Sequence, residues 1–369
     1  FNKKNMATFY TNEKNAQILI ALLKSHNIKK VIASGGSANA AFVASIQHDS
    51  FFEIYSSVDE RSAAYMACGL ASESGESVVI SCTGATASRN YLSGLTEAYY
   101  RKLPILAITS TNQISKIGHN IAQVIDRSQM PLDTAKHSVL LPLVYNTEDF
   151  WDCETKVNRA ILELKRHGGG PVHINLPTDY NTFDTRELPI VKKIERYYYG
   201  QKLPELPVGN IAIFIGSHTK MSKELTISVD AFCSINNAVI FCDHTSGYNG
   251  GYKILSSLLG GQTEELSAFN LPDLVIHIGE VTGDYYSSAL IKKEVWRVSA
   301  DGEIRDTFKK LKNVFEMEEI EFFKSYVNQQ KVADNSYLMA CQNKVETLKS
   351  KMPEVPFSNI WLASQMAHL

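Results

Sequence analysis

The stretch Tyr55-Ser-Ser-Val-Asp-Glu-Arg-Ser-Ala-Ala-Tyr-Met-Ala-Cys-Gly-Leu70 decides the fold. A β-rich run, Phe51–Val58, breaks off at Asp59-Glu60, and a helix of small residues starts at once. A carboxylate at such a junction lies beside free backbone N–H groups and the positive end of a helix dipole. Two readings of Glu60 are open: an ordinary acid of a first helical turn, or a functional group set at a strand tip. The residues on either side separate them.

Upstream, Asn12–Ser25 carries helical apolar spacing, and Lys29–Ala33 reads as a short buried strand. Ser34–Ala40 (SGGSANA) is a Gly/Ser turn leading into another helix. Downstream, Ser77–Cys82 reads as a strand, Thr83–Ala87 (TGATA) as a small-residue turn and Arg89–Tyr100 as a helix. Strand Ile105–Ser110 follows, then a loop-rich stretch, Thr111–Leu143, helix Asp149–Arg166 and strand Val172–Leu176. Apolar strands alternating with helices predict an α/β, doubly wound parallel sheet covered on both faces. Such sheets bind ligands at the carboxyl ends of their strands. The Gly/Ser turn, Glu60 and the Thr83 turn all fall there.

This first domain is expected to span 1–183. Residues 184–209, spaced by Pro189, Pro204 and Pro207 and without periodicity, read as a linker. A second doubly wound, Rossmann-like domain is expected over 210–350. Its strands are Ile211–Ile215, Ala238–Cys242, Leu274–Ile278 and Val295–Val298, with a helix near Ser222–Ser234. Glu318–Gln330 and a second polar helix to about Lys351 close it. Gly216 follows the first of these strands without a G-x-G-x-x-G pattern, so a packing role is favoured there over a dinucleotide site. Over 351–369, Pro353 and Pro356 precede an amphipathic helix, Phe357–Leu369, with Ser358 as its N-cap.

Composition narrows the partners. Lys plus Arg number 37 against 39 Asp plus Glu, which leaves no electrostatic footprint for nucleic acid or an anionic membrane surface. No apolar run reaches membrane-span length, and Phe1–Asn5 has no signal-peptide core, so a cytoplasmic protein is expected. The six cysteines are scattered without a C-x-x-C pair, as reduced buried thiols would be.

Several blocks together resemble the pyrimidine-binding domain of thiamine-diphosphate (ThDP) enzymes. They are Val58–Ala71 (VDERSAAYMACGLA), Thr83–Tyr91 (TGATASRNY), Glu97–Thr109 (EAYYRKLPILAIT) and Gly170–Pro177 (GPVHINLP). Cys242–Gly247 (CDHTSG) and Pro272–Gly279 (PDLVIHIG) are similar to the same enzymes' central domain. Within the superfamily the resemblance is nearest to the 2-succinyl-5-enolpyruvyl-6-hydroxy-3-cyclohexene-1-carboxylate (SEPHCHC) synthases of menaquinone biosynthesis, with acetolactate synthases more distant.

The resemblance implies a role for Glu60. A Glu in this place hydrogen-bonds the aminopyrimidine ring nitrogen of ThDP and so promotes loss of the proton on the thiazolium carbon. A buried carboxyl suits this because burial raises its pKa toward neutrality. The same carry-over places Gly36, Ser37, Thr83, Gly84 and Asn90 against the cofactor, where the alternative is tight-turn and first-turn packing. It implies a 2-oxoacid substrate, decarboxylation with carboligation, and a homodimer or homotetramer. It also implies Mg²⁺, held with the diphosphate mainly by a third domain. That domain is expected to start at 351–369, and no metal ligand is assigned within these residues. Gly283-Asp284-Tyr285 and Asp301-Gly302 echo its Gly-Asp-Gly motif in part and read as turns.

Two departures bear on the substrate. The synthases carry Ser-Arg in the first Gly/Ser turn and Asn-Gln-Ala in the loop after the ILAITS-type strand. Here Ala38 stands for the Arg and Ile121 for the Gln. The expectation is therefore a decarboxylase/carboligase acting on an acceptor other than isochorismate, with a genuine SEPHCHC synthase as the alternative and a non-catalytic ThDP-fold subunit as the third. His119, Asn120 and Gln123 are candidates for a replacement substrate contact, against the plainer reading of solvated loop residues.

Overall fold

The computed structural model describes residues 9–127, 130–179, 182–262, 269–327 and 334–366. It divides into two compact units, Phe1–Glu195 and Arg196–Leu369.

In the first unit the strands are β1 (Tyr10–Thr11), β2 (Lys30–Ala33), β3 (Glu53–Ser56), β4 (Val78–Cys82), β5 (Ile105–Thr111), β6 (His137–Leu140), β7 (Val172–Pro177) and β8 (Phe183–Thr185). The helices are α1 (Lys14–Ser25), α2 (Ala40–Ile46), α3 (Glu60–Ser74), α4 (Thr86–Asn90), α5 (Leu92–Tyr100) and α6 (Thr147–Glu163). Six strands form a wholly parallel sheet in the order β3-β2-β4-β5-β7-β6. The chain runs outward from β2 to β3 and then resumes at β4 on the other side of β2. The topological switch point therefore lies between β2 and β4.

Alternate residues of the central strands feed two cores, as a sheet covered on both faces requires. Val31, Val79, Leu106 and Ile108 meet α1 and α6 through Ile18, Leu22, Val157 and Ile161. Val78, Ile80 and Ala107 meet α3 and α5 through Ala63, Ala67, Leu95 and Ala98. The small residues of α3 let α5 come close, and a Cβ on Gly94 would collide with Ala64. Edge strand β3 is the exception, since all four of its residues are exposed.

In the second unit the strands are β9 (Glu195–Tyr198), β10 (Ile211–Ile215), β11 (Ala238–Cys242), β12 (Lys253–Ile254), β13 (Leu274–Ile278), β14 (Glu294–Ser299) and β15 (Leu311–Glu316). Its helices are α7 (Lys223–Asn236), α8 (Ser256–Gly260), α9 (Glu319–Val327), α10 (Ser336–Ser350) and α11 (Asn359–Met366). The sheet order is β12-β11-β10-β13-β14-β15-β9, with the pairings from β12 to β15 parallel. Its switch point lies between β10 and β13. One face buries Trp296, Phe315, Phe322 and Phe323 against Phe232 of α7.

Both sheets match the expected doubly wound architecture, and four features correct the expectation. The stretch read as a linker carries β8, which pairs with β1, and β9, which closes the second sheet. The buried Arg196–Glu316 ion pair, 3.7 Å, fixes β9 beside β15. Strand β6 interrupts the loop-rich stretch, and β15 was not foreseen because its Lys and Asn break the apolar run. The helix expected over Arg89–Tyr100 is two helices, α4 and α5, meeting at Tyr91. Gln330 and Leu369, the expected ends of two helices, lie outside the described residues. Ser358 does accept the Trp361 N–H at 3.2 Å in the first turn of α11.

Candidate active site at the first switch point

The turns after β2 and β4 touch. A Cβ on Gly36 would lie 2.6 Å from the Thr83 Cβ, so this place admits only glycine without a shift of Thr83. The turn after β4 presses equally on the end of β5. A Cβ on Gly84 would lie 2.9 Å from the Ser110 carbonyl oxygen. Ala85 then adopts φ 54°, ψ −133°, a strained conformation for a residue with a side chain. Backbone strain of this kind costs about 1–3 kcal/mol and gathers where function needs it. Beneath these turns Asn39 is buried and donates to the Ser34 carbonyl at 3.0 Å, tying β2's turn down.

The two acids at the β3–α3 junction divide their work. Asp59 is the N-cap of α3, and its side chain accepts the Ser62 N–H at 2.7 Å. Hydrogen bonding from the Ser62 side chain, and then from its N–H, holds the Asp59 carboxyl below its usual range. Glu60 is thereby spared from capping. Its Oε2 accepts from Asn90 Nδ2 at 2.9 Å, and its Oε1 has no hydrogen-bond partner among the described residues. Asn90 can reach it because α4 ends there, where the chain breaks before α5.

Glu60 was expected in a buried place, and here it is half-buried. The physical reason is its edge position. Val58 is 94% exposed beside it, and β3 offers no cover. Ser37 is exposed, Gly36 and Thr83 are half-buried and Gly84 is buried. Glu60 and Asn90 are thus joined directly, and Gly36 and Thr83 are in contact. His119, Asn120 and Gln123 are exposed on the loop after β5, with Asn120 (φ 53°) and Gln123 (φ 62°) in left-handed turns. Among the described residues no hydrogen bond joins these three to Glu60, Thr83 or Asn90. Of the two departures, Ala38 is buried and its carbonyl accepts from the Thr178 hydroxyl at 3.1 Å, while Ile121 is 43% exposed.

Arg127 lies in a stretch without periodicity and carries no motif that marks it. Its guanidinium is buried behind Gly84 and donates to the Ser110 carbonyl at 3.1 Å. Nε and Nη1 have no partner among the described residues, and burial pulls its pKa down to about 10, which still leaves it charged at neutral pH. Behind it, His173 bridges Thr109 (2.7 Å) and Ser138 (2.8 Å) across three strands. Burial holds this imidazole near pKa 3, with the charges of Arg127 and Arg89 adding to the effect.

The residues at the first switch point fit the pyrimidine half of ThDP. They offer a carboxylate with one oxygen oriented by Asn90 and one without a partner among the described residues, and small-residue turns packed closely at Gly36, Thr83 and Gly84. Among the described residues no group of three or more His, Cys, Asp or Glu side chains could hold a metal ion. No helix among them is long and apolar enough to cross a membrane.

Comparison with known proteins bears on the same region. Residues 13–130 match the family described as thiamine pyrophosphate enzyme, N-terminal TPP binding domain. The 2-succinyl-5-enolpyruvyl-6-hydroxy-3-cyclohexene-1-carboxylate synthase of Bacteroides thetaiotaomicron is 33% identical over 341 residues, 85% of this chain and 59% of the relative. The synthases of the same name from Bacteroides fragilis (strain YCH46) and Phocaeicola vulgatus are 30% and 29% identical, each over 95% of this chain and 66% of the relative. The chain thus spans less than two thirds of the length of these curated relatives.

Proposed function

Because the chain belongs to the superfamily of thiamine-diphosphate enzymes, we propose that it serves a SEPHCHC-synthase-type reaction. A 2-oxoacid, 2-oxoglutarate, loses CO₂, and the remaining four-carbon unit is joined to isochorismate. The observation that carries this reading is Glu60, oriented by Asn90 beside the Gly36–Thr83 contact. The names of the relatives, whose product is a 2-succinyl compound, supply the substrate class. This favours the synthase over the broader decarboxylase/carboligase reading with a different acceptor.

Bound ThDP supplies a carbon nucleophile and an electron sink for the decarboxylation. The residues of this chain hold and orient it. Glu60 Oε1 would meet the aminopyrimidine ring nitrogen and share a proton with it, while Asn90 keeps Oε2 occupied. Gly36, Thr83 and Gly84 allow the flat ring to approach backbone closely. Mg²⁺ accompanies the diphosphate in this proposal, with no ligand assigned among the described residues.

A second copy of the chain belongs to the same reading, as a homodimer or homotetramer. Ile54 and Tyr55 of β3, Val58 of the junction, and Tyr65 and Met66 of α3 are all at least 36% exposed. Covering the β3–α3 junction would take Glu60 out of water, and a cytoplasmic enzyme is expected. The second reading, a carboligase with another acceptor, is favoured by Ala38, whose methyl cannot pair with an acceptor's carboxylate.

The test supplies the purified full-length protein with ThDP, Mg²⁺ and 2-oxoglutarate, with isochorismate or without it. The synthase reading expects CO₂ release coupled to loss of isochorismate. CO₂ release that ignores isochorismate but rises with another acceptor supports the second reading, and no CO₂ from any 2-oxoacid sinks both.

A further inference from the structure

The second unit holds a cavity of about 650 Å³ at the carboxyl ends of β11 and β12, walled on one side by α10. Its floor is apolar, built from Cys242, Tyr248, Ile254, Leu255 and Val345. Its rim carries three ammonium groups, those of Lys220, Lys253 and Lys349, brought from three separate segments of chain.

Two acids also line the cavity, and both are already engaged. Asp243 accepts from the Thr245 N–H at 2.7 Å, the Thr245 hydroxyl at 2.6 Å, the Ser246 hydroxyl at 3.2 Å and the Thr282 hydroxyl. Glu346 pairs with Lys349 at 2.8 Å. Lys220 and Lys253 have no carboxylate within ion-pair distance among the described residues. Neutral donors orient Asp243 without cancelling its charge, so the three lysines exceed the two carboxylates by one, and this excess positive charge above an apolar floor attracts an anionic ligand with an apolar body. The floor gives burial, and the charges give orientation.

We propose that this cavity binds a small organic anion with an apolar body, its anionic end toward Lys220 and Lys253 and its body against Tyr248, Leu255 and Val345. The site lies in the second unit and does not depend on the ThDP reading.

Cys242 makes the proposal testable in the intact protein. It lines the floor and is half-buried, whereas the other five cysteines are buried. Burial holds its thiol up at about 11, so addition of N-ethylmaleimide is slow enough to time by intact mass. The probe is naphthalene-1,5-disulfonate, compared with neutral naphthalene-1,5-diol and with inorganic sulfate.

The disulfonate should slow labelling of Cys242 by about tenfold or more at saturation, with the diol and sulfate changing the rate by less than about twofold. The double variant Lys220→Ala/Lys253→Ala, both positions being exposed, should keep the wild-type melting midpoint and lose the protection. Equal protection by sulfate would reduce the site to a pair of surface cations, and equal protection by the diol to an apolar hollow. Protection that survives in the double variant would also overturn the proposal, as would a disulfonate that leaves labelling unchanged.

Discussion

The two sheets share one wiring plan and use its switch point in different ways. In the first unit the turn after β2 is tied to β4 by Ser34 N donating to the Ser81 carbonyl at 2.8 Å, the Thr83 side chain packs on Gly36, and Glu60 has one oxygen without a partner among the described residues. In the second, the turns after β10 and β13 are stitched by backbone hydrogen bonds. Ser217 N donates to the Glu280 carbonyl at 3.2 Å, and Glu280 N to the Ser217 carbonyl at 2.7 Å. Buried Arg297 rises from β14 to hold the Gly279 carbonyl and the Glu280 carboxylate from below. A glycine follows the strand in each case, but at Gly216 it serves this stitch, since a Cβ there would collide with the Glu280 carbonyl oxygen. The stitch does not close the second switch point, since a cavity of about 800 Å³ is lined by Ser217, Gly279, Glu280 and Arg297; it fixes the backbone there where the first leaves a carboxylate oxygen without a partner among the described residues.

The largest effect should come from the first switch point. Glu60→Gln keeps the size and the bond to Asn90 but cannot share a proton in the same way. In the full-length enzyme turnover should fall by roughly 10²–10⁴, the usual worth of a placed proton-transfer group, while the melting midpoint stays put. Unchanged turnover in that variant would remove the catalytic reading of the first switch point.

Alanine at the two glycines sharpens the contrast. Gly216→Ala forces backbone apart in the second unit and should cost about 1–3 kcal/mol in denaturant unfolding. ThDP affinity should not change. Gly36→Ala meets the Thr83 Cβ and Cγ2, so stability should fall as well, and ThDP affinity should fall with it. If both variants bind ThDP alike, the distinction between the two switch points is wrong.

The buried histidines provide a matched pair one layer deeper. His173 has both ring nitrogens bonded, whereas His277, between Phe214 and Phe308, leaves Nδ1 without a partner. Burial lowers each from an ordinary 6.5 to about 3, so each is neutral when folded. The unfolded chain takes up a proton below 6.5 and the folded one does not. Stability present above 6.5 is therefore lost as pH falls from there toward 3, at roughly 1.4 kcal/mol per pH unit for each group. His277→Phe should stay within about 1.5 kcal/mol of wild type at neutral pH and flatten the acid loss of the second unit. His173→Phe should cost about 1–3 kcal/mol, because the Ser138 hydroxyl and its neighbour lose their bridge. Equal costs would show that the unpaired Nδ1 carries no penalty.

Periodicity made both sheets legible, because β4, β5, β10 and β13 are buried on both faces and therefore continuously apolar. The strands that escaped notice lie toward the sheet margins or carry polar residues. β6 and β9 are half-buried edges, and β15 interposes Lys312 and Asn313. At the site, Glu60 and Asn90 could be picked out from the blocks around them, and their bond follows from the break at Tyr91, which the helical pattern conceals. Arg127 left no trace because burial of a loop residue depends on packing between distant turns. Its two groups without a partner among the described residues show up only in three dimensions.

The smallest predicted effect separates the neighbouring acids from each other. Asp59 is exposed, and its carboxylate is spent on the Ser62 N–H, so Asp59→Ala removes a cap and nothing else. A lost cap of this kind should lower the melting midpoint of the unit by roughly 2–4 °C and leave turnover within about twofold of wild type. The Asp59 pKa is depressed by its bond to Ser62, so the cap's contribution is present above the ordinary carboxylate value and fades as pH falls through the lowered one. The wild-type and Asp59→Ala melting curves should therefore converge in acid. Should Asp59→Ala instead abolish turnover while Glu60→Gln spares it, the adjacent carboxylates have exchanged roles, and the proton-sharing group of the first switch point is the cap itself.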